Sequence, residues 1–138
     1  MVVNVVVNYV AVVAAAVAAM VVGFVWYSPP LFGKMWMEGN GFKTEDMEKM
    51  KSKMAKSYLF MFVACLITAY VLAYFFGILQ VTGKMMALQT AGWLWLGFMA
   101  TIEFANHLFG GKSFKLFLIG VFHHLVALAV MAVVLVSL

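Results

Sequence analysis

The chain has 138 residues, of which 67% are hydrophobic and 10% charged, and its mean hydropathy is +1.07. So little polar surface cannot cover a soluble globule, and composition predicts an integral membrane protein. The formal charge of +4 comes from lysines alone, with no arginine, and no basic element lies clear of lipid, so no nucleic-acid partner is implied.

Four apolar runs are long enough to cross a hydrocarbon core of about 30 Å, which takes roughly 20 helical residues. They fall near residues 5–27, 57–79, 87–109 and 114–136 of a single membrane domain, 1–138. The runs are continuous rather than alternating, which excludes a barrel. The expected fold class is all-α: an integral membrane four-helix bundle with a short amphipathic cytoplasmic helix.

The first run carries Asn4 and Asn8 one turn apart at its start, placed to cap the helix, to hydrogen-bond across an interface or to line an outer vestibule. Small residues follow at every fourth position, Ala11, Ala15, Ala19 and Gly23. In lipid, helices associate by close approach of their backbones, so this ladder is a packing face. Ala14-Ala15-Ala16 resembles a signal cleavage site, but no lysine precedes it and the apolar run is too long for a signal core, so a retained span is expected.

The run breaks at Trp26-Tyr27-Ser28-Pro29-Pro30 and resumes as Leu31-Phe32-Gly33-Lys34-Met35-Trp36. Two prolines cannot continue a helix, and the residue before a proline is pushed toward extended geometry. Gly33 allows a tight return and Lys34 can reach lipid phosphates. Trp26, Tyr27, Ser28 and Lys34 thus form either a rigid interfacial corner or the cytoplasmic mouth of a site. With Gly23-Phe24-Val25 before it and Met37 after, this segment resembles the hallmark of a domain-of-unknown-function family of small prokaryotic four-span membrane proteins, whose pattern reads WYSP-x-LFGK-x-W. The resemblance implies the four-span fold and carries over no substrate, cofactor or catalytic residue.

Gly39-Asn40-Gly41 signals a turn, and Thr44 precedes Glu45, Asp46 and Glu48 as an N-cap would. Met47, Met50, Met54 and Met61 recur at helical spacing, so residues 45–56 are expected to form an amphipathic helix at the membrane surface that feeds the second span. A soft copper site is the alternative use of such methionines. Cys65, the single cysteine, lies in mid-span and excludes an intrachain disulfide. Lys34, Lys43, Lys49, Lys51, Lys53, Lys56, Lys112 and Lys115 all fall on one side, against Lys84 on the other. Lysine excess marks the cytoplasmic face, which puts both termini outside a plasma (inner) membrane. Trp26, Tyr27, Trp36 and Tyr58 fit an inner aromatic belt, and Tyr74, Trp93 and Trp95 an outer one.

The third run holds Glu103, Asn106 and His107 at i, i+3 and i+4, and the fourth holds His123-His124. The short Gly110-Gly111-Lys112 turn makes the two runs antiparallel neighbours, with Glu103 about 10 Å and His123 about 15 Å from the turn. Successive residues on a helix are about 100° apart, so only one of the two histidines can face Glu103 squarely. Gly97, Thr101 and Ala105 form a second small-residue ladder on the opposite side of the third run, which points to a central position or an oligomer contact.

A carboxylate at this depth costs about 3 kcal/mol on the insertion scale and must face protein or water. The first functional expectation is a homo-oligomeric packing or interaction protein, held by the ladders, with membrane lipids as partners and Glu103, Asn106, His107, His123 and His124 as polar glue. The alternative is a proton-linked or cation/metal transporter or channel that uses the same cluster. Metal binding by Glu103, His107, His123 and His124, bis-histidine haem, or acid–base chemistry on a lipid-soluble substrate are lesser readings. No nucleophile stands out, and the sequence requires no cofactor.

Overall fold

A computed structural model describes residues 4–41 and 44–138, with the backbone alone for 44–52. The readings placed on Lys43, Thr44, Glu45, Asp46, Met47, Glu48, Lys49, Met50 and Lys51 lie outside the described side chains. No strand occurs among the described residues; the chain is all helical. Four helices are apolar and long enough to span a membrane: Tyr9–Trp26, Lys53–Ile78, Lys84–Gly110 and Phe114–Ser137.

Helix α1 (Tyr9–Trp26) starts four residues later than hydropathy predicts. The Asn8 side chain accepts from the Ala11 amide at 3.2 Å and fixes the helix start there, leaving Asn4 in the extended lead-in. An N-cap of this kind satisfies a backbone donor that lipid cannot. Asn8 Nδ2 also reaches the Leu138 carbonyl at 3.5 Å, so the two ends of the chain lie at one end of the bundle.

At its other end α1 turns through the double proline into α2 (Gly33–Gly39). The corner is held by backbone bonds from Phe32 N to Trp26 O at 3.1 Å, and from Leu31 N and Gly33 N to Ser28 O, both at 3.0 Å. A Cβ at Gly33 would lie 2.9 Å from the Ser28 carbonyl carbon and nearer still to Tyr27 O. Glycine is needed there for close backbone approach.

The amphipathic segment is not a separate helix. It is the first part of α3 (Thr44–Ile78), one continuous rod of 35 residues that enters the bundle without a break. Helix α4 (Lys84–Trp95) passes through a π-helical turn, Leu96–Ala100, into α5 (Thr101–Gly110), and α6 (Phe114–Ser137) returns to the end where the termini lie.

Helix α1 packs between α3 and α6, and α4 packs on the other side of α6. The order across the bundle is therefore second, first, fourth, third span. Ala11, Ala15 and Ala19 are buried, so the first ladder is consumed inside the chain rather than held out for a partner. The core joins Val12, Ala16, Cys65, Ala69, Leu72, Phe76, Ala87, Ala91, Ala127, Leu128, Met131 and Ala132. Most of these lie from mid-span toward the termini, where the packing is apolar. The third span is at an edge, not central: Gly97, Thr101 and Ala105 are exposed, and nothing approaches within 4 Å of a Cβ built at Gly97.

Candidate functional site

Helix α6 is the wall on which the polar groups meet, in the half of the bundle near the α1–α2 corner. Its Gly120, His123 and His124 face two different neighbours, as a helical step of about 100° requires. His124 turns to the third span, where its Nε2 lies 3.7 Å from Glu103 Oε1. That is ion-pair range but outside a direct hydrogen bond. Gly120 lies beside the carboxylate, since a Cβ there would sit 3.9 Å from Glu103 Oε2, an ordinary van der Waals contact.

His123 turns the other way, onto α1. A Cβ at Gly23 would lie 3.5 Å from His123 Nε2, so the glycine of the ladder serves as the seat for this ring. The His123 ring is 5.1 Å from Tyr27 and 6.2 Å from Trp26, centroid to centroid, and 5.2 Å from His124. Burial first, and then the Glu103 carboxylate, push the Tyr27 hydroxyl above its ordinary pKa. Tyr27, His123, His124 and Glu103 therefore form one file of titratable groups running from the corner, across α6, to the third span.

Two tryptophans hold the helix that carries the histidines. Trp26 Nε1 donates to the Ile119 carbonyl at 3.0 Å, and Trp95 Nε1 donates to the Val121 carbonyl at 2.8 Å. These indoles grip α6 from opposite sides, just before His123. Trp95 lies about 16 Å into its span from Lys84, and its indole N–H is satisfied by a backbone carbonyl of α6. A tryptophan so far from both span ends was the sequence signal for this role.

The other candidates disperse. His107 leaves the file and lies among Phe104, Phe114 and Phe117, with ring centroids 5.4 to 6.3 Å away. Asn106 is exposed, so the i+3 position does not join Glu103 against α6. Ser28 donates its hydroxyl to Val25 O at 2.6 Å, closing the end of α1, and Lys34 is exposed. At the same end Lys112 donates to Asn40 Oδ1, tying the α5–α6 turn to the end of α2. Among the described residues, no three of His, Cys, Asp and Glu come together as a group that could hold a metal ion.

One nitrogen of the file, and one of His107 outside it, are unsatisfied. His123 Nε2 and His107 Nδ1 are buried atoms without a hydrogen-bond partner, while the Glu103 and His124 side chains are each 35% exposed. Both members of that pair lie about 10 to 15 Å inside their helices from the α5–α6 turn.

The family described as "Protein of unknown function (DUF1761)" matches residues 10–136, and the chain belongs to it. The match takes in all four spans and the corner. No curated protein and no solved structure matches the chain.

Proposed function

We propose that this family member is a proton-linked membrane transporter in which the Glu103–His124 pair is the proton site and His123 and Tyr27 extend it toward the corner. The observation that carries this reading is the pair itself: a carboxylate and an imidazole 3.7 Å apart, each 35% exposed, at membrane depth. Polar residues that serve only as glue are buried and have their hydrogen bonds filled, because an unfilled one in low dielectric costs more than it contributes. Here the contact is loose and the adjoining His123 nitrogen has no partner. Intramembrane Glu and His that face a neighbour rather than seal against it are the groups that take up and release protons near neutral pH. A proton suits the site better than a metal cation, since His123 turns away from Glu103 and two ligands fall short of the three or four that transition metals take.

The apolar core in the other half closes the file at one end, which favours a gated site over an open pore. The lysine-rich end is the cytoplasmic one in this proposal, with the termini outside. A second copy against the open Gly97, Thr101 and Ala105 face would cover the small-residue ladder of the third span, so a homo-oligomer belongs to the same reading.

The test is proton flux into proteoliposomes, driven by a potassium diffusion potential and read by a trapped pH dye. The wild type is expected to carry flux that rises as pH falls, and Glu103→Gln to drop to the rate of protein-free vesicles. Equal flux in the two proteins would overturn the proposal.

A further inference from the structure

The third span is built of two unlike halves. Helix α4 is anchored: Ala87 and Ala91 are 0% and 1% exposed, and Trp95 at its end is bonded to α6. Immediately after Trp95 the helix widens into the π-helical turn Leu96–Ala100, the kind of local irregularity at which helices kink. Helix α5 beyond it has no buried residue. Among the described residues, α5 meets α6 through the Glu103–His124 pair and through the rings of Phe104 and His107 against Phe114 and Phe117. At the far end Gly111 has φ +72, which glycine adopts freely, and the three-residue link to Phe114 can extend to about 10 Å.

We propose that α5 is a gate, hinged at the π-helical turn and latched by Glu103 and His124. This rests on the proton-site reading above. One proton shared by the pair leaves a carboxylate against an imidazolium, and the latch is closed. A second proton, taken from the lysine-rich face, binds the carboxylate and cancels its charge; the attraction is lost and α5 swings away from α6. The titratable groups nearest the pair are His123, beside His124 on α6 but turned to α1, Tyr27 at the corner, and His107 one turn along α5. Acid therefore opens the gate, while removal of the second proton closes it. A swing of about 20°, the size of a sharp helix kink, applied to a helix about 15 Å long, moves its far end by about 5 Å.

The test is pulsed electron paramagnetic resonance on the protein in liposomes, with Cys65 replaced by alanine and spin labels at Phe109→Cys and Leu59→Cys. A control pair at Met85→Cys and Val10→Cys reports the α4 end. Acidification is expected to shift the 109–59 distance by about 5 Å, to leave 85–10 unchanged, and to have no effect once Glu103→Gln is added. His124→Asn, which removes the latch from the other helix, should abolish the response as well. A 109–59 distance indifferent to pH, or a shift that survives both substitutions, would overturn the gate. Because flux is measured separately, a protein whose α5 moves without carrying protons would refute the transport reading and leave the gate standing.

Discussion

Replacing Gly33 with alanine should be the most damaging single-methyl change in the α1–α2 corner. The new Cβ would lie 2.9 Å from both the carbonyl carbon and the oxygen of Ser28, with Tyr27 O closer still, whereas relaxed contacts to carbon lie near 3.5 to 4.0 Å. These are backbone atoms, so no rotamer change relieves the overlap. The corner must open, and three backbone hydrogen bonds close it: Leu31 N and Gly33 N to Ser28 O, and Phe32 N to Trp26 O. At about 1 kcal/mol each, their loss costs roughly 2 to 3 kcal/mol. In a chain of this size that corresponds to a fall in Tm of roughly 10 °C. The protein carries its own reporter, because Cys65 is the single cysteine and is buried; a thiol-reactive fluorophore in detergent reads its exposure on heating. Gly92→Ala is the matched control, since nothing lies within 4 Å of its Cβ and alanine favours a helix by about 0.5 to 1 kcal/mol. A Gly33→Ala protein that melts with the wild type would refute the claim that close backbone approach shapes the corner.

Ala15→Leu places a larger side chain at a fully buried site between α1 and its neighbours. Overpacking of this kind costs about 1 to 3 kcal/mol, and the same thermal assay should show the loss in the monomer as well as in any assembly. Trp95→Phe removes the bond to Val121 O; interhelical hydrogen bonds in membranes are worth about 0.6 kcal/mol on average and up to about 1.7, so a small fall in Tm is expected, and no change would mean that the indole does not pin α6.

Hydropathy located the spans because lipid demands long, continuous apolar helices, and all four appear within a few residues of the expected positions. The short turn after Gly110 was enough to pair the third and fourth spans and to bring Glu103 level with the histidines. The choice of histidine was not legible: His124 meets Glu103 because His123 is seated on Gly23, and that depends on how α1 is rotated. Nor was the edge position of the third span, since Gly97, Thr101 and Ala105 form a small-residue stripe whether or not a neighbour lies on it. The π-helical turn left no mark either, because Leu96–Ala100 is ordinary in composition. The bond from Trp95 to α6 was not read either, although its distance from both ends of its helix argued for an indole that donates to protein.

The account stands on Glu103 taking and giving a proton within the membrane, and infrared difference spectroscopy of the reconstituted protein tests this most directly. Lowering the pH should produce the carbonyl stretch of a protonated carboxylic acid that is reversible, absent in Glu103→Gln and altered in His124→Asn. A pH-induced spectrum identical in wild type and Glu103→Gln would mean that the pair is fixed structure rather than a proton site.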